Sequence, residues 1–196
     1  MQQAITTELI QACKKQNTQK QEELYNILYN DVYNLCYRHT ENQDEAQDIT
    51  QKIFIRIFTK IKQYKGEKQE VNISEERKFR AWAMKVARNI IYDTYKSKQK
   101  KQKFQEEYHA SNKEKLLDED YEFPEESISG KILMETLQEL TPKYRMAINM
   151  YIIDGMEHKE IAKKLGISVG TSKSNLHRAK EQLKEKLLKK KWRRYD

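Results

Sequence analysis

Apolar residues recur along most of this chain at spacings of three and four, and no run alternates apolar and polar side chains between turn residues. That pattern predicts helices and no strands. A first helix starts near Thr6 or Glu8. A second begins around Gln21 and lines up Leu24, Ile27, Leu28, Val32, Leu35 and Cys36 as one stripe. His39 to Asp44 is polar and breaks the pattern. The third helix, from about Asp44 to Tyr64, has a wide apolar face of Ala46, Ile49, Ile53, Phe54, Ile57, Phe58 and Ile61. Its opposite face shows Asp48, Gln51, Lys52, Arg56 and Lys60. A polar loop beginning around Gly66, "KGEKQEVNISEERK", precedes a fourth helix that opens near Ser74 or Phe79. That helix carries Phe79, Trp82, Ala83, Val86, Ile90 and Ile91, and its exposed side is Lys85, Arg88, Asn89, Tyr92 and Lys96.

Three apolar-faced helices suffice for a small bundle, here spanning roughly 21–103. The pattern then fades. Gln105 to Ser129 is highly charged, poor in apolar residues and contains Pro124, and reads as a linker. A second helical cluster follows. Ile132, Leu133, Leu137 and Leu140 make one helix ending before Pro142; Tyr144, Ala147, Ile148, Tyr151 and Ile152 make the next, which stops at Asp154-Gly155. The expected fold is all-α, with two small helical domains (1–104 and 129–196) joined by a flexible linker (105–128).

Composition agrees with this picture, because five Gly and two Pro leave few helix breakers. Charge sharpens it. The formal net charge is +8, which favours a polyanionic partner, but its distribution says more. Arg77 to Lys103 sets ten Lys and Arg against the single acid Asp93, whereas Glu106 to Glu126 sets nine acids against Lys113 and Lys115. From Lys173 the chain turns basic again and ends in "KKKWRRYD". Two basic bodies flank one acidic connector.

Within "HKEIAKKLGISVGTSKSNLHRAKEQLKEKL", Ile161, Leu165, Ile167, Leu176, Ala179 and Leu183 form a core. Ala162 lies where two helices approach closely, and Gly166 falls at a tight turn where positive φ makes a Cβ costly. Ser168 can cap the following helix by accepting from the amide of Gly170 or Thr171. Spacing, cap and core together make a helix-turn-helix signature. In the DNA-binding reading, the helix over 169–178 enters the major groove. Val169, Gly170, Thr171 and Ser172 let its backbone come near, while Lys173, Ser174, Asn175, His177 and Arg178 supply donors to bases and phosphates. Ser172 stands where such motifs commonly carry an apolar residue, and a hydroxyl buried there is tolerable if it bonds back to a carbonyl. Lys85, Arg88, Asn89, Tyr92 and Lys96 form a second candidate contact surface, with Phe79 and Trp82 assigned to packing.

No paired-carboxylate site, metal-spaced His/Cys cluster, phosphate loop or nucleophile elbow is present, and the four His residues are dispersed over different segments. Neither catalysis nor a cofactor or metal is expected. Cys13 and Cys36 lack CxxC spacing and read as unpaired thiols, which together with the lack of an apolar run of membrane-spanning length suggests a cytoplasmic protein.

With these segments placed, the chain resembles the extracytoplasmic-function (ECF) group of the sigma-70 family of bacterial RNA polymerase sigma factors. "DEAQDITQKIFIRIFTKI" looks like the family's region 2.2, and "FRAWAMKVARNIIYDTYKSKQKK" looks like regions 2.3 and 2.4. "LTPKYRMAINMYIIDGMEHKEIAKKLGISVGTSKSNLHRAKEQL" is similar to region 4, and the helix from Glu22 to Tyr37 sits where region 2.1 would. The resemblance implies partners and roles. Core RNA polymerase would be held at its β′ clamp, through Asp48, Gln51 and Lys52, and at its β flap. Asn89, with Lys85 and Arg88, would read and help melt the −10 element of promoter DNA, and the loop Tyr64–Lys78 would capture a flipped-out base. The helix-turn-helix would read the −35 element as duplex. The acidic connector would thread the channel that nascent RNA later occupies, or act only as a solubilising spacer. Many relatives are held inactive by a membrane-bound anti-sigma factor, and the two basic faces here would offer one surfaces to occlude.

Two other classes compete. A stand-alone helix-turn-helix regulator would bind duplex DNA as a dimer but would need neither the Asp48–Gln51 face nor the basic Trp82-to-Lys103 helix. A nuclease would need an acid or metal cluster, and none is visible.

Overall fold

Most of the helices begin where an oxygen-bearing side chain takes up one of the first free amides. The computed structural model describes residues 4–66, 73–106 and 129–192. The acidic connector from 107 to 128, His109, the centre of the Gly66 loop and the end of the basic tail lie outside the described residues. Thr6 caps α1 (Thr7–Lys14), its hydroxyl accepting from the Leu9 amide at 3.2 Å. Asn17 accepts from Lys20 at 3.0 Å as α2 (Thr18–His39) opens, and Asn42 from Glu45 at 2.8 Å as α3 (Gln43–Lys60) opens. Ser74 starts α4 (Glu75–Glu106) and Ser129 starts α5 (Gly130–Gln138) in the same way. Pro142 opens α6 (Pro142–Ile148), where its missing N–H costs nothing. The last two helices are α7 (His158–Leu165) and α8 (Val169–Trp192). Among the described residues there is no strand, and no helix is long and apolar enough to cross a membrane.

The chain divides into two units, Met1–Tyr37 with Asn42–Asp93, and Arg38–Glu41 with Thr94–Asp196. In the first, Leu24, Leu28, Val32 and Cys36 of α2 are buried, as are Ile49, Ile53 and Ile57 of α3 and Phe79, Ala83, Ala87 and Ile91 of α4. Helix α1 adds Leu9, Ile10 and Cys13 to the buried set, so the expected three-helix bundle gains a fourth member. Lys14 ties it down by donating to the carbonyl of Tyr64 at 2.7 Å, beyond the single 3-10 turn Ile61–Gln63 that ends α3. The Tyr64 ring is buried in turn against Phe79 and Trp82, with centroids 5.0 Å and 5.4 Å away. Arg80 bridges α4 to α2, pairing with Glu76 on its own helix and with Asp31. Cys13 and Cys36 are both buried, and neither forms a disulfide.

In the second unit, Leu137, Leu140, Tyr144, Ala147 and Ile148 pack with Leu176, Ala179, Leu183 and Leu187 of α8. Arg145 is the largest side chain buried there, and its guanidinium donates to carbonyls at the end of α5: Nε to Leu137, Nη2 to Gln138 and Leu140. They lie in and just beyond the last turn of α5, where helical partners run out. Beyond α6 the backbone widens into a π turn, Asn149–Ile153, in which the Asp154 amide donates five residues back to Asn149 at 2.8 Å. Here the structure corrects the sequence reading. Tyr151 and Ile152, expected on the apolar stripe, are 38 % and 42 % exposed, because the extra residue in the turn rotates the following positions outward.

Candidate nucleic-acid interface

Helices α7 and α8 form the expected helix-turn-helix. A reciprocal capping box of Glu157 and Glu160 fixes the start of α7, the Glu157 amide donating to the Glu160 carboxylate at 3.2 Å. At its end Gly166 adopts the left-handed conformation, φ 71° and ψ 37°, and its amide and that of Ile167 both donate to the Ala162 carbonyl. Ala162 is buried beneath α8, where its small side chain lets the two helices close. The Ser168 hydroxyl then accepts from the Thr171 amide at 2.9 Å and meets the Thr171 hydroxyl at 2.8 Å. Gly166 thus closes α7 and Ser168 opens α8, one cap at each end of the turn.

This arrangement presents the first turn of α8 outward. Val169, Gly170, Thr171 and Lys173 are exposed, and Ser174, Asn175, His177 and Arg178 are half-buried along the next two turns. Ser174 donates back to the Thr171 carbonyl at 3.1 Å, and His177 lies 3.6 Å from Glu181. A helix N-terminus lined with small side chains and followed by Lys173 and Arg178 suits close approach to a phosphate backbone.

Ser172 is buried as expected for its position, but its partner is different. Its hydroxyl lies 3.0 Å from Nδ1 of His158, at the start of α7, and no bond to a carbonyl of the preceding turn forms. The reason is geometric: the α7 N-terminus brings an imidazole within reach of the buried oxygen. The His158 ring also stacks on Tyr151, with centroids 4.5 Å apart and planes 21° from parallel. Burial, and then the cations of Lys173 and Lys180, hold this imidazole below the ordinary histidine value.

The second candidate surface lies on α4. Lys85, Asn89 and Lys96 are exposed and Arg88 is half-buried, at helical spacings that place them on one face. Tyr92 shares that face by spacing yet is only 3 % exposed, so the structure takes it from the surface into the interior. A tyrosine ring gains more from leaving water than the helical period can signal.

On α3, Asp48, Gln51 and Lys52 all stand exposed, opposite the buried Ile49, Ile53 and Ile57. The same face carries a residue absent from the sequence-derived set. Ile55, at 67 %, is the most exposed large apolar side chain among the described residues, and it follows Gln51 and Lys52 by one helical turn. Its only sequence signal is that it falls off the buried stripe. Among the described residues no group of His, Cys, Asp and Glu side chains could hold a metal ion.

Comparison with known proteins matches two family descriptions on this chain: "Sigma-70 region 2" over residues 24–101 and "Sigma-70, region 4" over residues 130–183. The RNA polymerase sigma factor SigZ of Bacillus subtilis is 29 % identical over 116 residues, covering 59 % of this chain and 62 % of that protein. The ECF RNA polymerase sigma factor SigW of the same organism is 30 % identical over 118 residues, covering 57 % and 63 %. The ECF RNA polymerase sigma factor SigE of Mycolicibacterium smegmatis is 37 % identical over 60 residues, covering 31 % and 23 %. The match thus spans less than two thirds of the length of each of these relatives.

Proposed function

The chain belongs to the sigma-70 family, and we propose that it is a promoter-specificity subunit of the ECF kind, which binds core RNA polymerase and directs promoter recognition, DNA opening and the start of transcription. The observation that carries this reading is the pairing of two dissimilar surfaces on one chain. One is a helix-turn-helix whose recognition helix offers an open, small-residue first turn; the other is the exposed polar face of α3 within the region 2 match. A stand-alone regulator would use only the first.

In this assignment α8 reads the −35 element as duplex DNA. Val169, Gly170 and Thr171 admit the backbone, and Lys173, Ser174, Asn175, His177 and Arg178 contact bases and phosphates. Lys85, Arg88, Asn89 and Lys96 of α4 engage the −10 element, with Tyr92 supporting them from beneath. Asp48, Gln51 and Lys52 dock on the β′ clamp, and Ile55 supplies an apolar anchor that a purely polar face would lack. The helical domains of 1–104 and 129–196 and the acidic connector between them divide these tasks, and the site of action is the cytoplasm. The protein contributes binding energy and DNA deformation; bond-making belongs to the polymerase.

Run-off transcription with purified core polymerase and a genomic promoter library tests the proposal. The expected result is initiation at a defined set of promoters that depends on added protein. No dependent initiation, together with tight unassisted binding to a palindromic duplex, would overturn it in favour of a dimeric regulator.

A further inference from the structure

The buried stripe of α8 is Ser172, Leu176, Ala179, Leu183 and Leu187, in which Ser172 is the one polar member. A hydroxyl buried so deeply needs a partner, and it takes one from another helix, at 3.0 Å on Nδ1 of His158. The imidazole in turn lies flat on Tyr151 of the π turn. One side chain therefore joins three segments immediately behind the turn that presents Thr171 and Lys173.

We propose that His158 is a positioning residue of the recognition helix: bound to Ser172 and stacked on Tyr151, it seats the first turn of α8, and proton uptake by its imidazole is coupled to duplex binding. The inference rests on the DNA-reading role of α8 given above.

The groups facing the ring are few. From α8 come Lys173 and Lys180; from the π turn comes Tyr151. On its own helix stand Glu157, Lys159 and Glu160, and the Glu160 carboxylate is engaged by the Glu157 amide. Burial and the two lysines oppose a proton on the ring. Duplex phosphates meeting Lys173 cancel part of that opposing field, so the proton binds more readily in the complex. Linkage makes the effect reciprocal, and duplex affinity rises as the ring takes up its proton. The Ser172 contact survives the change. The neutral ring accepts from the hydroxyl at Nδ1, whereas the protonated ring donates from Nδ1 to the hydroxyl oxygen. Seating is kept while charge is added.

The test is an NMR titration of the full chain with labelled histidine, with and without a short mixed-sequence duplex at low salt. The His158 signal is identified by its contact with the Tyr151 ring. The expected result is a midpoint about half a unit higher with duplex, equivalent to about threefold tighter binding to the protonated form. His158→Asn keeps a polar atom near the Nδ1 position but cannot titrate. Whatever its affinity at neutral pH, it should lack the threefold gain on acidification that the parent shows. A midpoint unmoved by bound duplex, or equal pH profiles for parent and variant, overturns the inference; should the variant not fold, the titration of the parent decides alone. If no duplex binds at any pH, the DNA-reading role itself fails, which is a different result from a bound duplex with an unmoved ring.

Discussion

Nε of Arg145 donates to the carbonyl of Leu137 at 3.0 Å, inside the core of the second unit, while Nη2 of the same side chain reaches Gln138 and Leu140 at 2.7 Å each. One guanidinium thus closes the C-terminus of α5 and orients α6 against it. Arg145→Met removes these three bonds from the buried end of α5, and about 3 kcal/mol of stability should be lost. Arg145→Lys should recover little, since a point ammonium cannot cover the span of a planar fork. Urea unfolding followed by circular dichroism measures both. A loss of under about 0.5 kcal/mol for the Met variant would show that these bonds are incidental.

Gly166 holds the turn between α7 and α8 at φ 71°. No backbone atom crowds the position a Cβ would take, so conformation and not space sets the cost of a substitution. Gly166→Ala should destabilise by about 1–2 kcal/mol, and Gly166→Asn by less, because asparagine tolerates the left-handed region. Thermal melts that rank Asn at or below Ala would contradict this origin.

The two proposed surfaces should fail separately. Lys173→Ala and Arg178→Ala are expected to weaken −35 duplex binding and to lower its salt dependence, each lost phosphate contact reducing the slope by about 1. Core polymerase affinity should stay unchanged. Asp48→Ala and Ile55→Lys should do the reverse. Ile55 is already 67 % exposed, so its charged replacement should leave the melting midpoint where it was. Pull-down of core polymerase beside duplex anisotropy separates the outcomes, and loss of core affinity alone in both classes would show the division of labour to be wrong.

Burial pushes both thiols, Cys13 and Cys36, up to about 11. Thiolate is the reactive form, so at mildly alkaline pH neither should react with a disulfide reagent until the protein unfolds. Adding urea should release both at once if the first unit melts as one body. A thiol that titrates rapidly in native buffer would place its helix outside the cooperative core.

Much of this was legible beforehand, for identifiable reasons. Stripes such as Leu24–Leu28–Val32 obey the helical period and bury as spaced, and Ser168 and Gly166 mark their turn through capping and backbone preference alone. What escaped depends on contacts between distant segments or on a change of period. The π turn adds a residue where the pattern counts 3.6 per turn, so Tyr151 and Ile152 turn outward. Ser172 shows its polarity in the sequence, yet its partner His158 is reached only when α7 folds back beside α8. The burial of Tyr92 likewise follows from packing across helices, whereas the exposure of Ile55 agrees with its place off the buried stripe of α3.

The same histidine predicts the direction of acid destabilisation. The folded protein holds the His158 imidazole below the ordinary value of 6.5, first through burial and then through Lys173 and Lys180. The unfolded chain, free of both influences, takes up its proton near about 6.5. As pH falls through that value, the unfolded state binds more protons than the folded one, and stability declines until the folded ring is protonated as well. Above it, both states are neutral at this position and the histidine contributes no pH dependence. The melting midpoint should therefore drop between neutral and mildly acidic pH in the parent and drop less in His158→Asn. Equal drops in the two proteins would mean that the acid response arises elsewhere.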